Sequence, residues 1–285
     1  MTTAATVAVL GPGAVGTALA VPLAEAGLDV VCIARPATAA AITSRGLSLR
    51  HGSDVRTVRP RAAEELDEPV DLLLVTVKAT GLDEALGRIK SRATVVLPLL
   101  NGLEHVDTIR RRLDGPVLAG SIGKLEAYRD GLTEVVQTTA APLITVFPED
   151  GAAGLLRAAG LDVRAGESEP AVLWEKTVRL APLAAATAIT QQTLGELRSD
   201  GEWRATLEAA VAEACRVAAA DGVTPNEAAQ WEILDTMPGS VTTSTARDAA
   251  AGRPTELDAI LGAVVRAAKR LGVAAPTLDR LLAEA

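Results

Sequence analysis

Gly11, Pro12, Gly13, Ala14, Val15 and Gly16 form a GxGxxG turn, and the chemistry such a turn serves is the binding of a pyrophosphate. The apolar run Val7 to Leu10 leads into it, and Ala14 to Ala26 follows with a helical pattern. In that setting Gly11 permits the tight turn and Gly13 lets the backbone approach a phosphate. Gly16 lets the helix pack closely on the strand, and the helix N-terminus favours negative charge. The pattern alone is weak, because a chain rich in Ala and Gly produces it by chance, and the plain alternative is an ordinary strand-to-helix turn.

Arg35 adds a second piece of chemistry. The strand Val30 to Ala34 ends on it, at the place where NAD sites usually carry an acid to hold both ribose hydroxyls. A guanidinium there suits a 2′-phosphate, for which it offers a permanently charged fork. The reading is therefore NADP(H), the alternative being a solvated surface arginine. Two further groups fall at strand ends, where ligands of open α/β sheets bind: Lys78 after Leu72 to Val77, and Asn101-Gly102 after Val95 to Leu99. Lysine is scarce, at positions 78, 90, 124, 176 and 269 among 28 basic residues, so a Lys at a strand end stands out.

These residues need a scaffold, and the first half of the chain has the rhythm of one. Strand and helix alternate from Val7 to Phe147, with Leu47 to Val58 read as one extended piece and Asp71 to Val77 as a strand buried on both faces. This predicts a doubly wound Rossmann sheet over residues 1–167. From about Gly166 the pattern turns helical. Ala171 to Ala188, Trp203 to Asp221, Asn226 to Asp235, Glu256 to Leu271 and Thr277 to Ala285 read as helices, with a loop and a short helix between Pro238 and Pro254. Residues 168–285 are thus expected to form an all-helical second domain.

Composition narrows the function classes. A net charge of -8 argues against nucleic-acid and anionic-membrane surfaces. Cys32 and Cys215 form no metal-binding or disulfide pattern, so no metal is expected and a reducing, cytoplasmic setting fits. The start, Met-Thr-Thr-Ala-Ala-Thr, lacks a basic leader, and no apolar stretch is long enough to span a membrane. Aromatic residues are few, so Ala, Val and Leu must build the cores. His51 and His105 read as surface residues rather than acid-base groups.

The chain resembles the ketopantoate reductase (2-dehydropantoate 2-reductase) family along nearly its whole length. The resemblance rests on VAVLGPGAVG, the strand-end IAR with the later RGLSLR, VTVKAT, LPLLNGLEH, LWEKTVRLAP and GRPTELDAILGAVVRAAKRLGV, in that order and spacing. It implies NADPH-dependent reduction of a 2-oxo acid to a 2-hydroxy acid, of the pantothenate-biosynthesis type. It makes Lys176 the catalytic lysine, and Glu256 the acid near both that lysine and the nicotinamide ribose. Lys78 and Asn101 become cofactor-proximal, and Ser244 a contact for the substrate carboxylate. The residue types suit the reaction: reducing a carbonyl builds negative charge on oxygen, which an ammonium stabilises and protonates. Trp174 is read as a dry wall. Periodicity alone would make Lys176 an exposed partner of Glu175, and Glu256 an acid in the first turn of a helix.

The resemblance also breaks at particular positions. The family's Asn residues four and eight positions after the lysine are Leu180 and Ala184 here, and the Asn before Gly262 is Leu261. If these positions line the substrate site, a greasier acid is expected than the family's own substrate. Two alternatives stay open: a paralogue acting on a more apolar carbonyl in a specialised pathway, and a non-catalytic NADP-binding sensor. The alanine-rich last helices suit packing within one chain or between two copies in a homodimer.

Overall fold

The computed structural model describes residues 4–139 and 141–285, so the reading of the first three residues lies outside the described residues. The chain divides into two compact units. One comprises Met1–Leu100 and His105–Val172, and the other Asn101–Glu104 and Leu173–Ala285. The second unit therefore takes in four residues from the middle of the first half, a segment that helical patterning cannot reveal.

The first unit contains β1 (Thr6–Leu10), β2 (Asp29–Ile33), β3 (Leu47–His51), β4 (Asp54–Val58), β5 (Arg61–Ala63) and β6 (Val70–Val75). After these come β7 (Ala93–Pro98), β8 (Ala119–Gly123), β9 (Ala127–Arg129), β10 (Glu134–Gln137), β11 (Leu143–Phe147) and β12 (Asp162–Ala165). Five of them form a sheet in the order β5-β2-β1-β6-β7, and every pair in it is parallel. The strand order reverses beside β1, and open α/β sheets bind their ligands at the carboxyl ends of the strands flanking such a point, here β1 and β6. Val7, Val9, Leu72 and Leu74 are fully buried, as expected of parallel strands covered on both faces.

The remaining strands do not extend this sheet as one continuous layer. β3, β4, β9 and β10 form a sheet in the order β4-β3-β10-β9, and β8, β11 and β12 form another. The stretch read as one extended piece is a hairpin: Leu47–His51 pairs antiparallel with Asp54–Val58, and Gly52 at φ +58° makes the turn.

The second unit is helical, with the helix Glu169–Thr190 from Leu173 onward and the helices Gly201–Ala220, Glu227–Thr236 and Ala263–Leu271 as its main bodies. Trp174, Val178, Ala184, Val211, Leu261 and Val264 share its core. The buried carboxylate of Glu213 accepts hydrogen bonds from the backbone N–H groups of Thr277 and Leu278, which caps the last helix, Pro276–Glu284. No helix among the described residues is long and apolar enough to cross a membrane.

Candidate active site

In the first unit, the Gly11–Gly16 turn joins β1 to the helix Ala14–Glu25. Gly11 sits at φ +84°, and a side chain there would collide with Val77. A Cβ on Gly16 would stand 2.5 Å from the Gly11 carbonyl oxygen and 2.6 Å from Thr76 Oγ1. Thr76, which sequence reading did not single out, donates to the carbonyl oxygens of Leu10 and Gly11 at 3.1 and 2.8 Å, locking the turn to the end of β6. A small hydroxyl after a buried strand was the available signal.

Gly13 differs from its neighbours. The nearest atom to an added Cβ is the Gly11 carbonyl oxygen at 3.9 Å, so no protein packing requires glycine there. The helix it precedes has no side-chain cap and no acid in its first turn. Open space above N–H groups that carry positive charge fits a bound phosphate. Gly13→Ala is accordingly expected to leave Tm within about a degree while raising the KM for the dinucleotide about tenfold, since a methyl group costs contact with the phosphate but none with the fold. Gly16→Ala should instead lower Tm. Thermal melts beside cofactor titrations separate the two.

Arg35 is exposed and occupies the N-cap position of the helix Pro36–Arg45. Arg129, on β9, lies near it: burial, and then the positive charge of Arg35, lower the Arg129 pKa. Two guanidiniums held close together attract an anion, and the pairing of a residue on β9 with one after β2 was invisible in sequence. Lys78 is exposed and precedes the short turn Ala79–Gly81 after β6.

The second unit gathers the other groups. Lys176 lies on the helix Glu169–Thr190, half-buried, and its Nζ donates to Asn101 Oδ1 at 2.8 Å. Burial pushes its pKa down to about 8, the positive charge of Arg179 pushes the same way, and the carboxylate of buried Glu256 opposes both. The exposed reading of Lys176 is thus displaced by a lysine in a desolvated polar cluster.

Glu256 and Asn101 are positioned by one another's supports. Directly after Glu256 the chain makes a π-turn, Asp258–Gly262, in which the Ala263 N–H reaches the Asp258 carbonyl. The helix expected from Glu256 to Leu271 therefore begins with a widened turn and becomes regular from Ala263 to Leu271. Gly102, at φ +92°, lies against this turn, and any side chain on it would strike the Ala259 carbonyl. Arg266 closes the assembly by donating to both carboxylate oxygens of Glu104, at 2.9 and 2.8 Å, and to Asp258 Oδ1 at 2.8 Å.

Other readings need correction. Ala184 and Leu261 have no accessible surface and belong to the helical core, so neither offers a surface to a substrate. Of the positions that replace the family's amides, Leu180 alone is partly accessible. Trp174 is no wall either: it is buried, and its Nε1 donates to Asp221 Oδ2 at 2.9 Å. His105 is buried, since it starts the helix His105–Arg110 on its inward face, whereas His51 is exposed. Ser244 stands exposed at the start of the helix Ser244–Ala250, whose cap, Thr243, shares a 2.8 Å hydroxyl contact with Thr187. Burial pushes the Cys32 and Cys215 thiols up to about 12 and about 11, which leaves neither as a nucleophile at neutral pH.

Known proteins match this chain from end to end. The ketopantoate reductase PanE/ApbA family matches residues 7–149, and the PanE/ApbA C-terminal family matches residues 171–285. A 2-dehydropantoate 2-reductase of Mycobacterium tuberculosis is 30% identical, covering 97% of this chain and 95% of its own. The crystal structure of a PanE/ApbA family ketopantoate reductase from Ralstonia eutropha JMP134 superposes with a TM-score of 0.89 at 31% identity, covering 98% of this chain and 96% of that one. A D-mandelate dehydrogenase solved with NADH and anilino(oxo)acetate shares the fold, with a TM-score of 0.88 at 22% identity over 98% of this chain and 96% of its own.

Proposed function

Because the chain belongs to the ketopantoate reductase family, and is thereby an oxidoreductase of the C=O/CH–OH class, we propose that it reduces a 2-oxo acid to the 2-hydroxy acid with NADPH, Lys176 acting as proton donor. The observation that carries this reading is the cluster of Lys176, Asn101 and Glu256, in which burial brings the ammonium's pKa down to about 8. A donor of that pKa is protonated at neutral pH and yet gives up its proton readily.

When bound, the nicotinamide supplies the hydride. As the carbonyl carbon gains hydrogen with an electron pair, the C=O π pair moves onto oxygen, and an N–H bond of Lys176 breaks to protonate it. The neutral amine then recovers its proton from water. Asn101 accepts from the ammonium and fixes its direction, while Glu256 holds its charge against the cost of burial. The Gly11–Gly16 turn, with Arg35 at the 2′-phosphate, is suited to hold the dinucleotide. Lys78 is read as a further contact to it, and Ser244 as one to the substrate.

Fold alone does not name the acid. Leu180 stands one helical turn after Lys176, where the family carries an amide, and an apolar group there favours a hydrocarbon end over a hydroxymethyl end. The expected result is NADPH oxidation with a panel of 2-oxo acids, with kcat/KM at least about fivefold higher for 2-oxo-3-methylbutanoate than for ketopantoate. Leu180→Asn should narrow that ratio. Oxidation with no 2-oxo acid on the panel would remove the assignment, and a wild-type preference for ketopantoate would remove the apolar refinement.

A further inference from the structure

Resting on the reading of the substrate as a 2-oxo acid, we propose that Arg179 anchors its carboxylate, beside the carbonyl that Lys176 protonates. Arg179 follows Lys176 by three positions on the helix Glu169–Thr190, so the two side chains leave the same face in adjacent turns. Both are half-buried and neither belongs to the apolar core. In a 2-oxo acid the ketone oxygen and the carboxylate sit on adjacent carbons. A proton donor and a fixed cation one turn apart match that disposition.

The guanidinium is held rather than loose. Its Nη1 donates to the Glu175 carbonyl oxygen at 2.8 Å and to Gln230 Oε1 at 2.7 Å. Gln230 is itself buried on the neighbouring helix Glu227–Thr236, so a fixed amide orients the plane of the fork. Arginine binds carboxylates through that planar fork, and an oriented fork loses little freedom when it does so.

The charges point the same way. Arg179 lies close enough to depress the pKa of Lys176, and Glu256 close enough to raise it; Asn101 and Gln230, which hold the two cations by hydrogen bonds, are neutral. Like charges brought together out of water are unfavourable until an anion joins them. A substrate monoanion is such an anion, whereas an amide at the position of Leu180 could have offered only neutral hydrogen bonds. Specificity for an acid over a neutral ketone then lies largely in one side chain.

The experiment compares 2-oxo-3-methylbutanoate with its methyl ester in the wild type, Arg179→Gln and Arg179→Lys, with NADPH saturating. The ester keeps the ketone but lacks the charge. In the wild type the acid should be preferred by at least about a hundredfold in kcat/KM. Arg179→Gln should lower kcat/KM for the acid about a hundredfold, mainly through KM, and change that for the ester less than about threefold. Arg179→Lys, which keeps the charge but not the fork, should fall between. A second readout is independent of affinity: without the neighbouring cation, the alkaline limb of kcat in Arg179→Gln should move to higher pH. Equal losses for acid and ester, or an unchanged acid KM in both variants, would overturn the proposal while leaving the 2-oxo acid assignment standing. A wild type inactive on every 2-oxo acid would overturn both together.

Discussion

Lys176→Ala is expected to lower kcat by at least about a hundredfold, the lower end of what a positioned general acid contributes. Binding of NADPH should change little, since the Gly11–Gly16 turn belongs to the other compact unit, which has its own core. Dinucleotide titration by fluorescence beside steady-state kinetics tests both halves of the expectation. The pH profile carries the same signature with a definite sign. The active form is the ammonium, so kcat should be level below about pH 8 and fall as pH rises through that value, where burial has brought the pKa. Glu256→Gln removes the charge that raises this pKa and should move the limb to lower pH. A variant lacking Lys176 that keeps its kcat would take the role of proton donor away from that residue.

Arg35→Ala should raise the KM for NADPH by about tenfold to a hundredfold while leaving that for NADH within about twofold. The range corresponds to a charge-assisted hydrogen bond of about 1.5–3 kcal/mol. Arg129 lies close enough for the two guanidiniums to feel each other's charge, so it should retain part of the affinity for the phosphate. The loss in Arg35→Ala is therefore expected at the lower end of the range, and that in a double variant with Arg129→Ala at the upper end. Equal losses for the two dinucleotides would show that Arg35 does not read the 2′-phosphate.

The parts of this protein that are legible in sequence are those set by local physics. The turn at Gly11 to Gly16, the buried strand that ends near Lys78 and the long helices follow from φ requirements and from apolar periodicity over short windows. What escaped reading depends on contacts between distant positions. Nothing in the pattern around Lys176 shows that Asn101, seventy-five positions earlier, accepts its hydrogen bond. Nor does spacing reveal that Asn101 to Glu104 belongs with the helical unit.

Helical phase was the other source of error. Positions four and eight after Lys176 were expected to face one way, yet Leu180 keeps some exposure while Ala184 is wholly within the core. In a helix buried on most sides, the second turn already lies under its neighbours. Leu261, expected at the substrate site from its place in the family's pattern, lies instead wholly in the helical core. Trp174 has both an apolar body and a buried hydrogen bond to Asp221, which makes it a strut of the fold.

The widened turn Asp258–Gly262 makes the aim of Glu256 a matter of counting. A π-turn holds one residue more than the α-helical turn it replaces, and each residue of an α-helix advances the chain by about 100°. Everything before Asp258 is therefore rotated by nearly a third of a circle from where a regular helix, extended back from Ala263, would put it. Substitutions along the helix leave that angle alone. The loss of a single residue between Leu257 and Gly262 would restore a regular backbone ladder and swing the carboxylate away from the lysine. Arg266, beyond the bulge, donates to Asp258 at its start as well as to Glu104, and so guards the offset against being ironed out. In this stretch the length of the chain, more than its composition, sets the direction of the acid.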